Sequence, residues 1–120
     1  MDRADIVHDN FLRRVARQDL DFKTSGLSLT EAGLTKELLI SLFYSQALSR
    51  QLDRKSRKMQ AQGQGFYTIG SSGHEGNAAI AQAFRPTDMA FLHYRDAAFQ
   101  IARAAQVADV DSILIGDKKE

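Results

Sequence analysis

Two clusters of polar side chains, separated by a run of small residues, lie between Ser71 and Arg95. The first cluster reads Ser-Ser-Gly-His-Glu-Gly from position 71, and the second reads Phe-Leu-His-Tyr-Arg from position 91. The helix-length stretch between them is rich in alanine, at Ala78, Ala79, Ala81 and Ala83. Small side chains let a helix pack closely against its neighbours. We therefore predict a buried helix that brings the loop before it and the loop after it to one site.

The composition excludes several classes of protein. A chain of 120 residues makes one ordinary domain or a piece of a larger one. Sixteen basic and fifteen acidic residues leave a net charge of +1, which favours no nucleic-acid partner and no membrane surface. Basic residues do cluster over Arg50–Lys58, and we interpret them as the solvated face of a helix. The sequence has no cysteine and therefore no disulfide and no thiolate metal site.

No targeting or membrane signal is visible in the sequence. No apolar run approaches the roughly 20 residues that a membrane-spanning helix needs. The first residues lack the basic start and the apolar stretch of a signal peptide. We therefore expect a cytoplasmic protein.

The first third of the chain is dominated by helical spacing. Apolar residues recur every four positions from Val7 to Val15, which predicts an amphipathic helix over Asp5–Asp19. The pattern breaks over Leu20–Gly33. Within that stretch Ser28–Glu31 has the Ser-x-x-Glu form of a capping box, which predicts a short turn.

The longest predicted helix covers Lys36–Gln62, with Thr35 as its N-cap and Gly63 just after its end. Its apolar stripe consists of Leu38, Leu39, Leu42, Phe43, Leu48 and Leu52. We treat residues 1–34 as an N-terminal helical extension, and residues 35–120 as the main, incomplete domain.

The second half of the chain alternates short apolar runs with helical segments. Phe66–Ile69 and Met89–Leu92 have the length and composition of strands. The run Ile113–Ile115 could form a third strand. His74–Phe84 and Asp96–Ala105 are predicted helices. This order predicts an α/β fold in which helices precede the first strand, with a sheet too small to be stable by itself.

Candidate site residues come from both polar clusters. His74 lies where a helix begins, so that it could donate to an anionic ligand or simply cap the helix. Tyr94 and Arg95 follow an apolar run, where ligands gather in α/β proteins, and a guanidinium beside a phenol suits a phosphate group. The alternative for Arg95 is a surface ion pair with Asp96 or Asp88.

An aromatic pair follows the glycines that end the long helix. Phe66 and Tyr67 could form a wall that faces a substrate, or they could be plain core residues. For an aromatic pair of this kind the core is the better interpretation.

Several motifs in succession resemble one family. The chain is similar to the α subunit of the thiamine-diphosphate-dependent first component of 2-oxo acid dehydrogenase complexes, most of all the branched-chain type. The likeness covers about Thr35–Ala105, and the motifs that carry it are Leu38–Arg57, Gln62–Phe66, Gly73–Glu75 and Arg85–Asp96. The resemblance implies the thiamine-diphosphate-binding α/β fold, here only its N-terminal helical portion and first strands. It also implies oxidative decarboxylation of a 2-oxo acid and transfer of the acyl group to a lipoyl carrier.

The resemblance also implies roles for individual residues. His93, Tyr94 and Arg95 match the family's positions at the cofactor diphosphate. Phe66, His74 and Tyr94 match positions at the substrate pocket. No position of this chain matches a catalytic residue of the family.

The chain departs from the family pattern at the metal site. The family binds Mg²⁺ through a Gly-Asp-Gly motif and a later Asn, and Gly116–Lys118 is not that motif. The glutamate that activates the cofactor belongs to the family's β part. We therefore expect this chain to carry half of a cofactor clamp, without the Mg²⁺ ligands, and to be inactive alone.

The resemblance implies partners beyond the 2-oxo acid substrate. They are the β subunit, or the β part of the same component, and the lipoyl-bearing acyltransferase of the multienzyme complex. We also expect the chain to form an oligomer. The alternative function is a non-catalytic helical interaction module that docks a partner on its long helix, Lys36–Gln62.

Overall fold

The computed structural model describes residues 2–20, 26–66 and 69–108, and these residues form four helices and no strand. The helices are α1 (Arg3–Ala16), α2 (Lys36–Ala61), α3 (Asn77–Ala83) and α4 (Ala97–Ala105). The predicted α/β fold is therefore wrong, because the described part of the chain is all-helical. The helix predictions are confirmed, although α3 begins three residues later than predicted.

The predicted strand Met89–Leu92 is wrong for a physical reason. The run was predicted from its length and apolar composition, but Met89 and Phe91 are exposed and only Ala90 and Leu92 pack against the core. A strand also needs a neighbour that satisfies its backbone groups. No described residue supplies one, so the segment lies on the helices as a loop. Two residues of the predicted strand Phe66–Ile69, Tyr67 and Thr68, lie outside the described residues. The third predicted strand, Ile113–Ile115, lies wholly outside them.

The chain divides into two compact units, Met1–Leu34 and Thr35–Glu120. In the first unit, α1 carries an apolar stripe whose members are all largely exposed: Ile6, Val7, Phe11, Leu12 and Val15. The predicted capping box also lies here. The Ser28 amide donates to the Glu31 carboxylate at 2.8 Å, and the Glu31 amide donates to the Ser28 hydroxyl at 3.3 Å. These bonds hold the pKa of Glu31 below its ordinary value.

In the second unit, α2 begins and ends with the predicted signals. The Leu38 amide donates to Thr35 Oγ1 at 3.1 Å, which satisfies one of the unpaired amides of the first turn. Gly63 follows the helix with a φ of 71°, the left-handed conformation that favours glycine. Within the described ranges, no helix combines the length and apolar character that a membrane span requires.

The core of the second unit is built mainly from small side chains. Ala78 and Ala81 of α3 have no exposed surface and pack against α4, which contributes Ala98, Phe99 and Ala102. Leu42 of α2 completes the cluster. Because alanine adds little bulk, α3 and α4 approach closely, and this proximity brings together the loops that precede them.

We predict that Ala81→Leu destabilises the protein by about 1–3 kcal/mol, because the added atoms have no room between α3 and α4. Ala79→Leu is the matched control: Ala79 lies on the exposed side of the same helix, so its replacement should change stability by less than about 0.5 kcal/mol. Urea unfolding followed by circular dichroism measures both. Equal effects of the two variants would show that α3 does not pack as described.

Candidate functional site

The loop before α3 and the loop before α4 meet through aromatic rings. The rings of His74 and His93 stack with their centroids 5.9 Å apart, and the rings of His93 and Tyr94 lie 3.9 Å apart. The structure thus brings together three of the residues that the sequence singled out. The expectation that an alanine-rich helix joins two loops at one site is confirmed.

Asp96 ties these two loops together. Its Oδ1 accepts from Asn77 Nδ2 at 2.6 Å and lies 3.3 Å from His74 Nδ1, while its Oδ2 accepts from the His93 amide at 2.8 Å. The Asp96 side chain is only 12% exposed. Burial alone would raise the pKa of Asp96, but the bonds from His93, Asn77 and His74 outweigh it and hold that pKa below its ordinary value. The carboxylate is therefore charged in the folded protein at neutral pH.

Arg95 makes neither of the surface ion pairs that the sequence left open. Its Nε donates to the Gly70 carbonyl at 2.9 Å, and its Nη2 donates to the Ser72 carbonyl at 2.5 Å. Asp88 instead binds the guanidinium of Arg85, with Nη2 2.8 Å from Oδ1. The two carbonyl groups thus occupy the side-on edge of the Arg95 guanidinium.

The end-on edge of Arg95, formed by Nη1 and Nη2, keeps its donor capacity. No acceptor among the described residues engages Nη1, and the residue is only partly buried. A planar fork of this kind matches the spacing of two oxygens on a carboxylate or phosphate. The carbonyl groups therefore orient the guanidinium and leave a fork that can bind an anion.

Three residues that build this site were not singled out from the sequence. Arg50 was read as part of a solvated basic face, but its Nη2 lies 2.6 Å from Glu75 Oε1. The other oxygen of Glu75 accepts from the Gly73 amide at 2.7 Å. Asp53, one helical turn after Ser49 on α2, accepts from both the amide and the hydroxyl of Ser71. For Arg50 and Asp53 the signal was the spacing of polar residues along α2, and for Glu75 it was its place in the polar cluster before α3.

Phe66 lies apart from the polar cluster. Its side chain is fully exposed and belongs to no core cluster of the described residues, so the interpretation as a core residue is wrong. Its role beside a substrate stays a prediction. His74 takes part in the loop network through Asp96, which leaves open its second role as a donor to a ligand.

The described residues contain no group of three or more histidine, aspartate or glutamate side chains that could hold a metal ion. No protein family model matches the chain, and no curated protein or solved structure shows significant similarity to it.

We predict that the depressed pKa of Asp96 makes stability depend on acid pH. A carboxyl whose pKa is lower in the folded state stabilises the fold above its unfolded value, about 3.9, and this contribution is lost as the pH falls through the folded pKa. Wild type should therefore lose stability steeply below about pH 3.9. Asp96→Asn should be less stable at neutral pH and fall less steeply in acid. Parallel curves of urea midpoint against pH for the two proteins would contradict this assignment.

Proposed function

We propose that this chain forms part of a thiamine-diphosphate-dependent 2-oxo acid dehydrogenase of the branched-chain type and contributes one side of its cofactor site. The observation that carries the proposal is the orientation of Arg95. Two backbone carbonyl groups fix its guanidinium, and its end-on edge remains able to bind an anion. Tyr94 and His93, the other two residues matched to the cofactor diphosphate, are in contact beside it.

The residues fit a diphosphate group but not its metal. Arg95 offers a charge-assisted fork, and Tyr94 carries a largely exposed phenol on the same loop. The described residues contain no cluster that could hold Mg²⁺, and the proposal therefore assigns none of them to that ion. Arg95 and Tyr94 therefore fit one side of a diphosphate-binding site.

In this proposal the residues of the chain bind and orient, and none of them is catalytic. When bound, thiamine diphosphate supplies the electron sink that lets a 2-oxo acid lose CO₂. Tyr94, Arg95 and His93 hold the diphosphate end, which positions the rest of the cofactor. We assign His74 and Phe66 to the substrate side of the site, as the resemblance implies. The acyl group would be passed to a lipoyl-bearing acyltransferase, and the β part would supply the remaining site residues, so that we expect the chain alone to be inactive.

A second candidate function is a helical interaction module. It is favoured by apolar side chains that are exposed on one face of the first half of α2: Leu39, Ile40, Phe43 and Tyr44. Such a face on a long helix suits a protein partner. This function requires no anion at Arg95, and a ligand titration therefore distinguishes the two proposals.

We predict that inorganic pyrophosphate and thiamine diphosphate bind the full chain weakly, with a dissociation constant of about 1 mM or above. NMR shifts should be confined to the amides of residues 70–76 and 93–96. Arg95→Lys, which keeps the charge but loses the fork, should weaken binding by about tenfold, because hydrogen bonds to charged groups are worth about 1.5–3 kcal/mol.

The matched control is Arg85→Lys, the same change at an arginine whose side chain is 83% exposed. It should leave both affinities unchanged within about twofold. Shifts that spread over the whole surface, with the same response in both variants, would contradict the proposed diphosphate site and favour the interaction module.

A further inference from the structure

The loop that orients Arg95 is itself held by one carboxylate of α2. Asp53 Oδ2 accepts from the Ser71 amide at 2.6 Å and from the Ser71 hydroxyl at 2.8 Å. Since the Ser71 hydroxyl proton is directed to Asp53, the 2.7 Å contact between the Ser49 and Ser71 hydroxyls has Ser49 as its donor. Ser49 and Ser71 are fully buried. A buried network whose members are all satisfied makes a rigid attachment.

Gly70 allows the close approach that this attachment needs. A Cβ atom at position 70 would lie 3.0 Å from Asp53 Oδ2 and 3.2 Å from Asp53 Cγ. Either the carboxylate or the loop would have to move to make room for a side chain. A glycine at this position therefore permits the short bonds between Asp53 and Ser71.

The peptide group between Gly70 and Ser71 links Asp53 to Arg95. Its N–H is the amide of Ser71, and its C=O is the carbonyl of Gly70. In a planar trans peptide these two groups point in opposite directions. With the N–H bound to Asp53, the C=O points to the other side, where it accepts from Arg95 Nε. The carboxylate and the guanidinium thus bind opposite ends of one peptide dipole, and each strengthens the bond of the other.

We infer that Asp53 is a positioning residue for Arg95: through the Gly70–Ser71 peptide it sets the orientation of the guanidinium and hence the affinity of the site for an anion. The anion's identity as a diphosphate rests on the proposed function. The orientation of Arg95 does not depend on the proposed function, and it can be measured without any ligand.

The first readout is the rate at which Arg95 Nε–H exchanges with water in the folded full chain, measured by NMR. Asp53→Ala should raise this rate by about tenfold, the loss expected when a charge-assisted hydrogen bond is weakened. Asp53→Asn removes the same charge but keeps an acceptor oxygen, and should restore most of the protection. An unchanged rate in folded Asp53→Ala would overturn the inference.

Ser71→Ala is the matched control, because it removes the hydroxyl from the buried network but keeps the amide that binds Asp53. It should lower stability and yet leave the Arg95 Nε–H rate within about twofold of wild type. Should Asp53→Ala fail to fold, Gly70→Ala replaces it, since the added Cβ forces the Asp53 carboxylate and the loop apart by a few tenths of an ångström and lengthens the bond to the Ser71 amide. Gly70→Ala should then raise the rate as well, and a wild-type rate in that variant would overturn the inference.

Pyrophosphate titration of the same variants separates this inference from the proposed function. Affinity should fall in the order wild type, Asp53→Asn, Asp53→Ala, although both substitutions remove a negative charge and would raise it by simple electrostatics. If the exchange rates follow the predicted order but no variant binds pyrophosphate, the positioning role holds and the diphosphate site is wrong. If wild type binds through Arg95 and Asp53→Ala binds equally well, the positioning role is wrong.

Discussion

The hydrogen bonds from Ser71 to the carboxylate of Asp53 fix the loop on which the site depends. This loop connects the long helix α2 to the short helix α3, and it has no strand partner among the described residues to satisfy its amides. A buried amide without a partner is costly, so the side chain of α2 takes the place of a sheet neighbour. Once Ser71 is fixed, the carbonyl groups on either side of it are fixed as well, and both accept from Arg95.

The same arrangement recurs in the rest of the polar cluster. Three carboxylates each accept a hydrogen bond from a loop amide; the pairs are Asp53 with Ser71, Glu75 with Gly73, and Asp96 with His93. Arg50 anchors Glu75 to α2, and Asn77 anchors Asp96 to α3. The alanine contacts between α3 and α4 bring these loops close enough for the network to form. Packing and hydrogen bonding thus act together: the rings of His74, His93 and Tyr94 lie in a row, and the guanidinium of Arg95 is held by the loop before α3.

Local signals were sufficient to predict the helices, because capping residues and the four-residue apolar spacing act within one segment. Thr35 and the Ser28–Glu31 box form the predicted bonds, and the helix bounds agree to within a few residues. The strand prediction at Met89–Leu92 failed because the length and apolar composition of a run indicate that it packs against a core and carry no information about a neighbouring strand. The meeting of His74 with the second loop could be predicted from the alanine run. The role of Asp53 could not, because a charged residue on a helix gives no local sign of which loop folds back onto it.

The site depends on the hydrogen bond by which the Gly70 carbonyl holds Arg95. The most direct test of this bond is a scalar coupling between Arg95 Nε and the Gly70 carbonyl carbon. NMR on the uniformly labelled full chain can detect such a coupling without ligand or mutation. We expect a resolved correlation between these two nuclei, together with slow exchange of the Arg95 Nε–H. A missing correlation, with Arg95 Nε–H exchanging as fast as in an unstructured peptide, would show that the Gly70 carbonyl does not hold the guanidinium.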